Sequence, residues 1–391
     1  MRITGIICEY DPFHNGHRYL IEQAKEGSGA VVCVMSGNAT QRGGFAVADK
    51  YTRAEMAVRG GADLVLELPY PYSSASAEFF ASAGVSVLAS VGVDRICFGS
   101  ESGDVTRLQR AAEIALTLDR NGTQDPTGTA DGYFSALGKA YEDTYGEPLS
   151  PKSNDILGIE YCKAIFANGY GIEPFAVTRR GDGFRADVAI DGAFASATAI
   201  RRLIREKCVD STLSYVPSET ACLMREAIGR GEAPVDMARL EGAVLSFFRL
   251  AEPERLSEFA ELGNGLEYRL CEAAREATDL SDLFSRVATK KYTDAKIRRA
   301  VLFAMTGVTA DDLRAPVGYT TVLSANARGC ELLAALRKQE GGVPVITKPA
   351  DGKTAHPRQY ALSLALDSLF TLALPTARPS GAYVRKNPVI L

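Results

Sequence analysis

Residues 5–17 read GIICEYDPFHNGH, and the rest of the chain is best read outward from them. The first half is a short apolar run with no polar alternation, the pattern of a strand buried on both faces. The second half holds Asp11, Pro12, Asn15 and Gly16, all turn formers, and then opens the helical pattern HRYLIEQAKE at residues 17–26. A loop running straight from strand to helix leaves unpaired backbone N–H groups and the positive end of the helix dipole at one point, which suits a phosphate. Gly16 lets the backbone approach a ligand closely. His14 and His17 lie one helical turn apart, so both rings can face one phosphate chain. As imidazolium or neutral N–H donors they would stabilise charge developing on a triphosphate under attack. The bland alternative is a solvated pair or a helix cap, and two of only three histidines fall in this loop.

Outward from this stretch, strands alternate with helices. AVVCVM (30–35), ADLVLEL (62–68) and DRICFG (94–99) read as strands, and DKYTRAEMAVRGG (49–61) and SAEFFASAGVSVLASVG (76–92) as helices. That alternation predicts an α/β fold with a parallel, doubly wound sheet. Residues 121–132 are rich in turn formers and predict a surface loop. ILGIEYCKAIFAN (156–168) predicts a helix, 173–177 a strand, the glycine-rich stretch 179–194 a loop or hairpin, and 198–207 a helix. Beyond residue 208 long helical patterns dominate (218–231, 241–262, 266–290 and 296–308), followed by a proline-rich tail expected to be irregular. The expected division is residues 1–207 as the nucleotide domain and 208–391 as a mainly α-helical domain.

Length, 391 residues, agrees with about two domains. A net charge of −4 excludes a whole-chain basic footprint, so any RNA contact needs a local patch. The eight cysteines form no C-x-x-C pair and are expected to be buried thiols, and with three histidines no zinc or other metal site is expected. The start of the chain lacks a signal-peptide pattern and no apolar run is long enough to span a bilayer, which predicts a cytoplasmic protein without a membrane partner. Oligomeric state is left open.

The histidine loop resembles that of the HxGH nucleotidyltransferase and class I aminoacyl-tRNA synthetase superfamily. Residues 195–201 (ASATAIR) resemble its later signature, with Ser196, Thr198 and Arg201 placed to bind phosphate or, more plainly, to cap a helix. VMSGNATQRG (34–43), residues 47–69, FGSE (98–101), SNDILGIEY (153–161) and TRRGDGF (178–184) follow in order, and TKKYT (289–293) with KIRR (296–299) extends the match. Together these segments closely resemble the bacterial tRNA(Met) cytidine acetate ligase family. The resemblance implies a Rossmann-like nucleotidyltransferase domain followed by a mainly α-helical domain. It implies activation of acetate with ATP, accompanied by Mg2+, and acetyl transfer to the wobble cytidine of elongator tRNA(Met). It implies catalytic roles for His14 and His17. Nucleotide contacts would come from the 7–20 loop, including Ile7, Glu9, Tyr10, Asp11, Phe13 and Gly16, and from Gly99, Asn154, Arg179 and Arg180. RNA contacts would come from Lys290, Lys291, Tyr292, Lys296 and Arg298, with Tyr292 able to stack a base.

The departures from the family pattern are local. Asp11 replaces a usual asparagine and adds negative charge near the phosphates. Ala39 and Thr40 stand where larger apolar residues are usual, Asp155 where a second asparagine is common, and Arg180 where an apolar residue is usual. Asp49 reads as an N-cap and Lys50 as a cap neighbour or phosphate contact. Glu67 and Asp63 read as salt-bridge or substrate-orienting carboxylates, and His356 as a surface histidine. Two other functions fit the nucleotide loop: a small-molecule adenylyltransferase of the pantetheine or nicotinamide-nucleotide type, and an RNA-binding protein that holds ATP without turnover.

Overall fold

A computed structural model describes residues 2–121, 130–149, 151–179, 195–206, 209–336 and 341–391. The apolar runs of the first half form β1 (Ile3–Cys8), β2 (Ala30–Ser36), β3 (Leu64–Leu68), β4 (Arg95–Ser100) and β5 (Glu173–Thr178). Between them lie α1 (Asn15–Lys25), α2 (Lys50–Arg59), α3 (Ala77–Ser90), α4 (Val105–Arg120), α5 (Ala130–Tyr145) and α6 (Ser153–Ala167). The first five strands are parallel in the order β5-β4-β1-β2-β3. The chain therefore winds outward from β1 in one direction through β2 and β3, then crosses over to β4 and β5. The crevice between the C-terminal ends of β1 and β4 is the topological switch point, where open α/β sheets bind ligands.

Successive residues of each strand point to opposite faces, and the packing follows that period. Val31, Cys33 and Met35 of β2 join the core that also holds Ile21, Ala54 and Ala57, while Val32 and Val34 join a second core with Val85, Leu88 and Ile159. Both faces are covered, which is why the strands read as unbroken apolar runs.

The next helices are α7 (Ala197–Glu206), α8 (Ser218–Gly229), α9 (Glu241–Leu250), α10 (Pro253–Leu256), α11 (Leu266–Glu276), α12 (Leu280–Val287), α13 (Asp294–Thr306) and α14 (Ala310–Arg314). They share the first core: Phe248, Leu270, Leu283 and Phe303 are continuous with the sheet face carrying Met35 and Val65. The last third then returns to the sheet through β6 (Thr320–Ala325), which pairs β3 antiparallel with Leu64 opposite Ala325 and Val65 opposite Ser324. After it come α15 (Ala327–Leu336), β7 (Val345–Ile346), α16 (Gly352–Ala355), α17 (Pro357–Leu372) and β8 (Val389–Ile390). β7 and β8 both pair β6, completing a mixed sheet of eight strands.

The tail is thus built around a 16-residue helix and strands rather than being irregular. Its prolines sit where they do no harm: Pro357 occupies the first turn of α17, where the missing N–H would be unpaired anyway. α5 begins inside the stretch expected to be a loop, most of which lies outside the described residues. The expected loop or hairpin at 179–194 also lies outside them, apart from Arg179.

Seven described cysteines are free thiols, but the expectation of burial fails for Cys222, which is exposed on α8, and for Cys330, which is half-buried. Among the described residues no helix is long and apolar enough to cross a membrane.

Candidate active site

At the end of β1 the chain turns sharply. Tyr10 has a left-handed φ of 49°, rare for a residue with a side chain. The buried ring holds it there: it packs edge-on against Phe13 at 5.0 Å, and its hydroxyl lies 3.4 Å from the Cys33 sulfur. Phe13 is fully buried against Gly60, where a Cβ would come within 2.3 Å of the ring. The Tyr10 and Phe13 side chains therefore form the floor of the loop and leave only their backbone for a ligand. Ile7 behaves likewise, with its side chain packed on Gly84 of α3.

His14 is the N-cap of α1, and with His17 it forms a reciprocal capping box. The His17 N–H donates to His14 Nδ1 at 3.4 Å, and the His14 N–H donates to His17 Nδ1 at 3.3 Å. The rings stack with centroids 3.5 Å apart and planes 18° from parallel. Because each Nδ1 is an acceptor, each neutral ring carries its proton on Nε2. Burial pushes the His14 pKa down to about 3, helped by the cations of Arg179 and Arg201. Burial and the adjacent His14 and Arg179 push His17 well down too. At neutral pH the pair is two fixed, uncharged Nε2–H donors at a helix N-terminus.

Two arginines flank them. Arg201 reaches from α7 to the loop, donating through Nη1 to the Asp11 carbonyl at 2.8 Å and carboxylate at 3.2 Å, and through Nη2 to Thr198 Oγ1 at 3.1 Å. The other Asp11 oxygen accepts the Val47 N–H at 2.6 Å. Ser196 caps α7 by accepting the Ala199 N–H at 3.1 Å. Arg179 follows β5, its Nη1 donating to Asn154 Oδ1 at 3.3 Å. Gly99, at the end of β4, leaves room beside it: a Cβ there would sit 3.4 Å from Arg179 Cγ. A cleft opens next to this arginine, lined by Tyr19, Gln23, Phe175 and Val177. Glu9 accepts the Gln41 N–H at 2.7 Å, and burial raises its pKa above the usual carboxylate range.

Comparison with known proteins matches this chain along its length. The family model HIGH Nucleotidyl Transferase matches residues 1–382. A tRNA(Met) cytidine acetate ligase of Acetivibrio thermocellus is 35% identical over 422 residues, covering 100% of both chains. The corresponding protein of Halothermothrix orenii is 36% identical over 369 residues, 89% of this chain and 87% of that relative. Thermotoga maritima TmcAL bound with alpha-thio ATP superposes with a TM-score of 0.89 at 29% identity, and its apo form with 0.92 at 31%, each over 100% of both chains.

This chain belongs to the tRNA(Met) cytidine acetate ligase family.

Within that family frame, the local departures acquire physical explanations. Asp11 does not present a bare charge to the site, because Arg201 and the Val47 N–H take up its carboxylate. Asp155 is buried and organises the turn after β4, accepting from the Ser100 hydroxyl at 2.5 Å and the Glu101 and Ser102 N–H groups. Thr40 and Ala39 sit in a hairpin whose Thr40 carbonyl accepts the Ser74 hydroxyl. Arg180 lies outside the described residues.

The structure gathers Glu9, His14, Gly16, His17, Gly99, Asn154, Arg179, Ser196, Thr198 and Arg201 around the switch point. The candidate RNA residues Lys290, Lys291, Tyr292, Lys296 and Arg298 lie apart, before and along the start of α13. Tyr292 needs correction as a stacking platform. Its ring is buried, its hydroxyl donates to the Asn264 carbonyl at 2.5 Å, and Lys291 and Lys296 lie over it at 5.1 and 5.9 Å. Arg298 is paired with Asp294 at 2.7 Å and covers Phe284.

Asp49 is the N-cap of α2. Lys50 reaches no phosphate position, since it is buried in an ion pair with Glu67 at 2.7 Å. Asp63 accepts the Val31 N–H and the Asn326 amide. His356 caps α17 by accepting the Gln359 N–H.

Two positioning residues escaped the sequence reading. Glu101 caps α6 through the Asn154 and Asp155 N–H groups and orients the Asn154 amide at 2.5 Å. The visible signal was a carboxylate directly after a strand. Arg53 is fully buried and donates to the carbonyls of Glu9, Ser36, Gly37 and Ala48, tying the ends of β1 and β2 to α2. Nothing in its helical periodicity separates it from a surface arginine.

Proposed function

We propose that this protein activates acetate with ATP and acetylates the N4 amine of the wobble cytidine in elongator tRNA(Met), in the cytoplasm. The observation that carries the reading is the stacked pair of neutral Nε2–H donors at the switch point, in a chain that matches acetate ligases end to end.

In the first step an acetate oxygen bonds to the α-phosphorus of ATP. The bond to the bridging oxygen breaks, and pyrophosphate leaves. His14 and His17 meet the triphosphate with donors already oriented, so little reorganisation is needed as charge builds. Arg179 and Arg201 supply positive charge at either side. Both are already hydrogen-bonded to protein groups, which holds their guanidinium planes in place. In the second step the cytidine N4 attacks the acetyl carbon, AMP leaves, and the amine gives up a proton.

Among the described residues no cluster of three or more histidine, cysteine or acidic side chains is arranged to hold a metal. Mg2+ would accordingly ride on the triphosphate and its waters, where it neutralises phosphate charge.

The exposed lysines before α13 supply the tRNA contact, and the helices that precede the return to the sheet at β6 carry it. Lys290→Glu combined with Lys291→Glu is expected to raise the KM for tRNA about tenfold or more, since charge reversal at a phosphate contact costs several counterion equivalents. Acetate-dependent pyrophosphate exchange without tRNA reads the other half of the reaction and should hold. An unchanged tRNA KM moves the RNA surface elsewhere.

The function is tested by incorporation of labelled acetate into unmodified tRNA. Label that requires ATP and is lost with a wobble-cytidine variant of the tRNA supports the reading. No label, together with pyrophosphate release on a phosphorylated pantetheine or nicotinamide nucleotide, would replace it with a small-molecule adenylyltransferase.

A further inference from the structure

Between β2 and α2 the chain makes a hairpin whose tip joins two regions that are far apart in sequence. Ala39 and Phe45 form an antiparallel bridge. Within it the Gly43 N–H donates to the Thr40 carbonyl and the Thr40 N–H to the Gly44 carbonyl, both at 2.9 Å. On one side the tip touches the crevice, through the Gln41 N–H on Glu9. On the other it is wedged onto α13. A Cβ on Gly43 would lie 2.4 Å from the Arg299 backbone nitrogen and 2.7 Å from the Arg298 carbonyl carbon. With φ at +76° as well, only glycine suits this contact.

Arg42 stands between these two contacts. It is exposed, and no hydrogen bond or ion pair joins its side chain to another described residue. The cations of α13 beside it are paired: Arg298 to Asp294 at 2.7 Å and Arg299 to Glu261 at 2.8 Å. The carboxylate whose charge Arg42 influences is Glu9, and Glu9 is engaged by the Gln41 N–H. A guanidinium on a braced hairpin, without a side-chain partner among the described residues and at the rim of a site that handles a polyanion, is suited to a planar, two-pronged grip on phosphate.

We propose that Arg42 binds a backbone phosphate of the tRNA beside the reacting cytidine, so that the hairpin sets the reach from the α13 contact surface to the acetyl-adenylate. Contacts of this kind carry no sequence information but set the register in which a base is presented. The inference rests on the tRNA reading above.

The test uses the full chain as wild type, Arg42→Ala and Arg42→Lys. Two quantities are measured: acetate-dependent ATP–pyrophosphate exchange without tRNA, and the KM for tRNA between ~50 and ~200 mM salt. Arg42→Ala is expected to raise the tRNA KM about five- to tenfold and to lower the salt slope by about one, with exchange altered less than twofold. Arg42→Lys should restore the salt slope and part of the KM. A parallel loss of exchange would assign Arg42 to the triphosphate instead. An unchanged tRNA KM and slope would remove it from the interface. A wild type that exchanges pyrophosphate but acetylates no tRNA would overturn the functional reading itself, whatever Arg42 does.

Discussion

His14→Ala and His17→Ala are each expected to slow acetate-dependent pyrophosphate exchange by about 100- to 1,000-fold, the usual consequence of removing one preorganised donor from a site of developing charge. The two substitutions do not act independently. The rings stack with centroids 3.5 Å apart, so removing one takes away the face against which its neighbour is packed, although the neighbour's Nδ1 keeps its backbone partner. The double variant should therefore lose less than the product of the single losses.

Fold and chemistry separate through the cap. His14→Ala also removes the N-cap of α1, at a stability cost of about 1 kcal/mol. His14→Asn keeps a cap-forming side chain, so its loss of rate at an unchanged melting temperature isolates the donor role. Near-normal exchange in either alanine variant would sink the assignment.

The pH dependence supplies a second check on the same pair. An ordinary histidine titrates near 6.5, and burial with the neighbouring arginines brings His14 to about 3. Because the folded state resists protonation, the unfolded chain binds more protons between those values. His14 therefore contributes its full stability above about pH 6.5 and loses it progressively as pH falls toward 3. Exchange by neutral donors should show no loss as pH rises from 6 to 8. A mechanism using imidazolium would lose rate over that interval.

Lys50→Met is expected to destabilise the protein by about 3–5 kcal/mol, because it strands two buried carboxylates. The Lys50 ammonium lies 2.7 Å from Glu67 and 3.4 Å from Asp367, and all three side chains are no more than 10% exposed. Burial alone would push the lysine pKa down, but Asp367 and Glu67 lift it above the ordinary range, so it stays charged. Asn38 completes the network, donating to Asp367 at 2.7 Å and accepting the Lys50 N–H at 2.9 Å. Urea unfolding would show the loss as a lower midpoint. Adding Glu67→Gln and Asp367→Asn should recover much of it, since uncharged partners carry a smaller desolvation cost. If Lys50→Met alone leaves the midpoint unchanged, the cluster does not brace α17 against β3 as its geometry implies.

The Lys50 cluster also marks where sequence reading stops. Lys50 directly follows a helix cap and reads as a residue free to meet phosphate. Its partner Asp367 is 317 positions away. Nothing local in DKYTRAEM distinguishes a buried ammonium from a solvated one. The same holds for Asp11, whose compensating Arg201 is 190 positions distant, and for Tyr292, which reads as an exposed aromatic among lysines but is closed over by its bond to Asn264.

What the sequence determined by itself was whatever depends on neighbours within a turn or two. Strand and helix periods along the first hundred residues, the loop that puts His14 and His17 at a helix start, and the cap at Asp49 are all local consequences of side-chain spacing and backbone hydrogen bonding. The tertiary structure alone decided that burial and two distant arginines keep His14 neutral, that Arg201 compensates Asp11, and that β6 returns across more than 250 residues to pair with β3. Burial, charge compensation and non-local strand pairing depend on groups brought together only by folding. They leave no periodic trace in the segments that supply them.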